Sequence, residues 1–310
     1  MDPAVISLLT LTVRAGTSLI LATLGGNLTE RAGVMCLLIE GVMLASATIG
    51  FAADYWSGSA FVGLLAAVLT GAGLAFVHVA LCLFFRAPQV VSGLAISIFG
   101  AGLASFLGQR LGPHGAALVG VNGPRFERLA IPGISNVGLG SLFFSHDFLT
   151  YVMFILVGVV WWYLFRTRRG LDLRACGENP KAASALGVAV IKTQYLATII
   201  GGMLIGMAGA HLSLAYSPGW TENLTGGRGW IAVALVVFSG WHPIRAVGGA
   251  LLFGAISALQ FRLQTSNVSI PPAMLGMLPY AATLIVLIAV SLGKKRFRSP
   301  ASLGQPFWQE

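Results

Sequence analysis

From Gly58 to Phe85 the chain reads GSAFVGLLAAVLTGAGLAFVHVALCLFF, without one Asp, Glu, Lys or Arg. A stretch that long and that apolar belongs in lipid, where the backbone must satisfy its own hydrogen bonds within a helix. Similar runs recur near 4–27, 33–53, 89–108, 148–165, 193–216, 244–262 and 272–292, with a shorter one at 229–240. The pattern predicts an all-α integral membrane protein, a polytopic helical bundle of about nine spans, with a range of about eight to ten. Charged residues make up only 9% of the chain, against roughly 25% in a soluble domain. Residues 1–310 read as a single transmembrane domain. The opening MDPAVISLLTLTVRAG has neither a basic start nor a small-residue cleavage site, so it reads as the first span.

The net charge of +9 could suggest nucleic acid as a partner, but its distribution argues for membrane orientation instead. Basic loops stay in the cytoplasm. Placing 166–192 and the tail segment GKKRFR inside makes the other connections alternate. Arg31, Arg86, Lys192 and Arg245 then fall inside with them, whereas Arg110, Arg125, Arg128, Arg228 and Arg262 fall outside. This expectation puts the N-terminus outside and the tail, 293–310, in the cytoplasm. It makes 109–147, rich in Gly and Pro, an extracytoplasmic loop. Cys36, Cys82 and Cys176 are scattered and suggest neither a disulfide framework nor a metal cluster.

Apolar side chains gain nothing by meeting one another in lipid, so helices associate there through close backbone approach and polar bonds. Gly63, Ala67, Gly71 and Ala75 form one ridge of small residues at i+4 spacing, and Thr198, Gly202, Gly206 and Ala210 form another. Both predict helix–helix seams. GLLAAVLTGAGLAF with APQVVSGLA is loosely matched by VGGALLFGAISALQ with IPPAMLGML, and under the topology above the two copies would be inverted.

The charged interruption RTRRGLDLRACGENPKAASALGV, from Arg166 to Val188, contains helix punctuation. Asn179 suits an N-cap, Pro180 the first helical position, and Gly187 a left-handed terminus. Ala183, Leu186 and Val190 would form a small apolar face. Two readings follow: a helix shaped for another protein's groove, or an ordinary connecting loop.

RACGENPKAASALGV resembles the coupling loop of permease subunits of bacterial ABC importers, in the branched-chain amino acid, ribose and nucleoside permease family. GGNLTERAGVMCLLIEGVML, APQVVSGLAI, TGGRGWIAVALVVFSGWHPIRAVGGALLFGAISALQ and MLPYAATLIV resemble other segments of that family, and the pattern is closest to its nucleoside-type members. Cys36 departs from it, standing where an Asn is expected. The resemblance implies a subunit of the bacterial plasma membrane that moves a small polar solute by alternating access. It implies partners: ABC ATPase subunits, a second and different permease chain, and an extracytoplasmic solute-binding lipoprotein. ATP and Mg would sit on the ATPase, with no cofactor on this chain. Gly177, Glu178, Asn179, Pro180, Ala183 and Gly187 would form the coupling helix and its cap. Glu178 would pair with a basic residue of the ATPase or remain a solvated carboxylate.

The pathway candidates are Arg14, Glu40, Trp220, Asn223 and Trp230. A carboxylate at mid-bilayer costs about 2.5–3.5 kcal/mol on insertion scales, so Glu40 should face protein or a watery path. Arg14 is its natural partner. Trp220 and Trp230 read as interfacial anchors or as stacking surfaces for a base. Asn27, Glu30 and Arg31 read as a cytoplasmic turn or a broken-helix junction, and His78 and His211 as makers of interhelical hydrogen bonds. The sequence has no G-x-x-x-x-G-K-[ST], H-E-x-x-H or G-x-S-x-G motif. An ion-coupled transporter would call for more intramembrane carboxylates than Glu40.

Overall fold

A computed structural model describes residues 3–129, 145–265, 271–292 and 298–305. Its described residues are helical apart from turns, links and one isolated bridge between Arg128 and Asp147. The helices are α1 (Pro3–Arg31), α2 (Ile39–Ser57), α3 (Ala60–Leu83), α4 (Gln89–Gly108), α5 (Phe148–Arg166), α6 (Arg168–Glu178), α7 (Pro180–Ala185), α8 (Val190–His211), α9 (Arg228–Phe238), α10 (Pro243–Thr265), α11 (Pro272–Gly276) and α12 (Leu278–Leu292). A π-helical turn, Leu212–Tyr216, prolongs α8.

Six of the described helices are long and apolar enough to cross a membrane: the 5–31 part of α1, then α3, α4, α5, α8 with its π turn, and the 243–264 part of α10. α9 and the 274–286 stretch are apolar but shorter. The first span differs from expectation. It runs unbroken through Asn27 and Glu30 to Arg31, and the break comes after it, at 32–38. Glu30 stabilises that break: its carboxylate accepts from the Cys36 amide at 3.2 Å and from the Trp241 indole at 2.7 Å. The basic stretch before α7 is also not a loop, because Thr167 caps a helix there, accepting from the Gly170 amide at 3.0 Å. The expected loop 109–147 and tail 293–310 lie partly outside the described residues, as do Lys294, Lys295 and Arg296.

The two small-residue ridges are two sides of one seam. A Cβ on Gly71 would collide with the Gly202 carbonyl and approach Gly206 Cα at 2.9 Å, and a Cβ on Gly206 would collide with the Ala67 carbonyl. α3 and α8 therefore touch backbone to backbone. Gly41 meets Ser97 and Gly100 in the same way, joining α2 to α4, and Gly254 meets Gly16, joining α10 to α1. The packing is reciprocal: α3 lies on α8 as α10 lies on α1, α2 meets α4 as α9 meets α12, and α1 and α8 lie against each other. The buried core gathers on α1, α2 and α8, with Leu19, Leu24, Ile39, Met43 and Ile205 fully enclosed. His78 ties three segments, with Nδ1 2.9 Å from Ser92 Oγ and Nε2 3.0 Å from the Met35 carbonyl.

Candidate functional site

Two sites emerge, one at an end of the bundle and one part-way along it. The first is the capped helix. Asn179 Oδ1 accepts from the Ala182 amide at 3.0 Å, and Pro180 occupies the first turn of α7. Gly187 adopts φ +87°, and the Val188 amide closes the end on the Ala183 carbonyl at 3.0 Å. Only part of the expected apolar face points inward. Ala183 and Val190 pack with Cys176, whereas Leu186 is 85% exposed. Ala183 is the buried residue of α7, and its packing between Cys176 of α6 and Val190 of α8 holds the helix down and leaves Leu186 free. Burial pushes the Cys176 thiol up to about 11, so it stays protonated and inert. Gly177 lies against α1, where a Cβ would strike the Arg31 carbonyl. Glu178 accepts from the Ala301 amide at 3.3 Å. Arg31 donates to the carbonyls of Trp241 at 3.0 Å and Gly240 at 3.3 Å. The base of α7 is thus wired to the end of α1 and to the α9–α10 turn.

The second site surrounds residues 217–230, which bend through Asn223 (φ +55°), Gly226 and Gly227 into α9. Glu40 holds the bend. Its carboxylate accepts from Thr225 Oγ1, from the Gly227 amide at 3.2 Å and from the Gly229 amide at 2.6 Å. These amides belong to the free N-terminus of α9, where a negative charge is stabilised. The Gly41 amide donates to Ser97 Oγ at 3.3 Å, which sets Glu40 halfway along α4.

Arg14 does not pair with Glu40. Its Nε lies 3.7 Å from Asp147 Oδ2, and it donates to the Ala215 carbonyl at 2.9 Å. Asp147 also caps α5, accepting from the Thr150 amide at 3.0 Å, and lies 3.8 Å from His211 Nε2. The two intramembrane charges sit on different helices facing different elements, so proximity along the sequence did not translate into contact.

On one side of the bend, a cavity of about 430 Å³ is lined by Glu40, Ser97, Asn223, Trp230 and Tyr280. It adjoins a smaller one of about 230 Å³ lined by Thr48, Ser105, Trp220, Glu222 and Asn223. On the other side, an open cavity of about 710 Å³ is lined by Arg14, Arg128, Tyr216, Arg228, Gln260 and Tyr280 among others. Trp220 is no exposed stacking surface: it is 4% exposed and donates to Thr48 Oγ1 at 2.8 Å. Trp230, at 43%, and Tyr280, at 46%, present their rings instead. Tyr280 donates to the Gly226 carbonyl at 2.9 Å, and Arg228 lies over the Tyr216 ring at 4.8 Å. Sequence reasoning missed Asp147, Tyr216, Gln260 and Tyr280. Gln260 and Gln264, one turn apart in an apolar helix, were the available signal.

Replacing Glu40 by Gln puts an amide donor against backbone donors that the carboxylate now satisfies. Bonds to charged groups contribute about 1.5–3 kcal/mol. The expected result is a clear loss of folded protein in membranes, measured by fluorescence-detected size exclusion, with the order of solute preference unchanged. Normal abundance with altered preference would instead put Glu40 in the path itself.

Among the described residues, no cluster of three or more His, Cys, Asp or Glu side chains could hold a metal ion.

The profile of the family described as branched-chain amino acid transport system / permease component matches residues 7–287. The chain is 42% identical over 270 residues to TsgC13 of Haloferax volcanii, whose name provisionally makes it a glucose ABC transporter permease; the match covers 86% of this chain and 80% of that one. It is 33% identical over 299 residues to the guanosine ABC transporter permease protein NupQ of Bacillus subtilis, covering 93% and 92%. Among solved structures, an ABC transporter provisionally classed as metal-chelate type, in an inward-facing conformation, matches with a TM-score of 0.50 at 20% identity, covering 92% of this chain and 86% of that one.

Proposed function

Because this chain belongs to the family of branched-chain amino acid transport system permease components and is thus an ABC transporter permease, we propose that it forms one half of the path of an ATP-driven importer for nucleosides. In this reading two permease chains, different from each other, enclose the path, and a solute-binding lipoprotein delivers the solute to the outer loops. Two ATPase domains drive transport, one of them docking on 178–187 of this chain. ATP-driven closure of the motor pulls α7, and Gly177 and Arg31 pass that displacement to α1 and the α9–α10 turn. The path then opens alternately to either side of a bacterial plasma membrane.

The observation that carries this reading is the short α7, capped at both ends, with Leu186 turned to solvent. A connecting loop has no need of such a device. The topology that accompanies it has about nine crossings, with α2 and the shorter α9 and 274–286 stretch included, and with α7 and the tail on the cytoplasmic side. The reciprocal packing of α1–α4 and α8–α12 supports an inverted repeat. The free rings of Trp230 and Tyr280 beside Asn223 suit a ligand with a flat face and several hydroxyls. A free sugar is the second reading, favoured by the 42% identity to TsgC13; branched-chain amino acids rank third.

One variant and one assay test this. Lys181→Cys should react with an impermeant maleimide only in inside-out vesicles; labelling of intact cells would invert the topology. In proteoliposomes holding the whole transporter, labelled guanosine uptake should be competed by other nucleosides and not by glucose. Competition by glucose alone would select the sugar reading.

A further inference from the structure

Three stretches far apart in sequence converge beneath α7: the end of α6, the link after α1, and residues 300–304. The Ser302 amide donates to the Gly177 carbonyl at 2.9 Å, and its hydroxyl lies between the carbonyls of Gly177, at 2.5 Å, and Cys176, at 3.2 Å. The Ala301 amide donates to Glu178 Oε2 at 3.3 Å. On the other side the Gly304 amide donates to the Gly33 carbonyl at 3.3 Å. Ser302 is buried, and the joint closes only because glycines line it. Gly33 has φ +95°, and a Cβ there would sit 3.2 Å from Ser302 Oγ and 3.4 Å from Gly177 Cα.

The last carbonyls of a helix have no partner inside it. For α6, Ser302 supplies partners for the Cys176 and Gly177 carbonyls, from a segment that also holds the α1–α2 link. That link leads directly to Glu40, which caps α9. The tail therefore bridges the element that carries α7 to the element that holds the outer bend.

We propose that residues 300–304 form a strap that transmits movement of α7 to the α1–α2 link, with Ser302 as its positioning residue. The proposal rests on the reading that 178–187 receives the motor. It identifies a second route for the pull, beside the Gly177–Arg31 contact.

The test uses the complete transporter in lipid nanodiscs, with its ATPase and solute-loaded binding protein. Ser302→Tyr cannot fit beneath Gly33 and Gly177 and lifts the strap; Ser302→Ala removes only the hydroxyl bonds. Coupling networks of this kind are worth about 0.5–2 kcal/mol, so Ser302→Tyr should lower the ratio of stimulated to basal ATP hydrolysis roughly 10-fold. Ser302→Ala should lower it about 2- to 3-fold. Subunit assembly and basal hydrolysis should stay unchanged, which a purely structural role would not predict. An unaltered ratio in Ser302→Tyr would overturn the proposal, and so would raised basal hydrolysis, which would make the tail a restraint. Loss of transport in α7 variants alongside a normal Ser302→Tyr would sink the strap and leave the docking reading standing.

Discussion

Replacing Leu186 by Asp, or Gly187 by Trp, is expected to leave the transporter inserted and assembled while uptake collapses. Leu186 is 85% exposed and makes no contact that the fold depends on. A charge there costs the isolated chain almost nothing. In a docked complex it would sit unpaired in an apolar groove. An uncompensated buried charge costs roughly 3 kcal/mol or more, about 100-fold or more in affinity. Gly187 adds a backbone argument, since its φ of +87° costs a residue with a Cβ roughly 1–2 kcal/mol. Space is not the obstacle, because nothing lies within 4 Å of its Cβ position. Asn at 187 tolerates that backbone and should retain most activity. Removal of 178–187 should abolish both uptake and stimulated ATP hydrolysis. Normal transport by Leu186→Asp and Gly187→Trp would defeat the docking reading.

The second large effect is expected inside the bilayer, at the α3–α8 seam. Gly71→Leu should leave almost no folded protein, whereas Gly73→Leu, two residues along, should be nearly silent. A Cβ at 71 meets the backbone of Gly202 and Gly206, which cannot move aside without separating the helices. A Cβ at 73 meets nothing within 4 Å. Overpacking a tight core costs about 1–3 kcal/mol when side chains can adjust, and more when backbone must. Comparing the two variants by thermal stability in detergent separates close packing from helix propensity, which is the same for both. Equal behaviour at 71 and 73 would rule out the seam.

Much of this was written in the local chemistry. The Asn179, Pro180 and Gly187 punctuation produced the helix it describes, because caps act within a turn of their own position. The small-residue ridges were legible too, since i+4 spacing is a property of one helix. Their facing each other was not, because that requires two segments more than a hundred residues apart. Arg14 and Glu40 show the limit most clearly. Both are charges in the first two spans, yet one meets Asp147 and the other the start of α9. The partnership was decided by which way each helix is rotated, and apolar faces on every side leave that rotation unspecified in the sequence. Trp220 and Trp230 differ for the same reason: identical side chains ten residues apart, one wedged against Gly108 and Thr48, the other facing a cavity.

What the sequence determined alone is what scales with local composition: a helical membrane chain, the position of its charged interruption, and a short helix capped at both ends. What only the tertiary structure decided is who meets whom. In lipid the hydrophobic effect does not choose between helix faces, so the choice falls to backbone contacts and a handful of polar bonds. Gly71 against Gly202, Glu40 at the head of α9 and Ser302 beneath Gly33 each join residues that no local pattern connects.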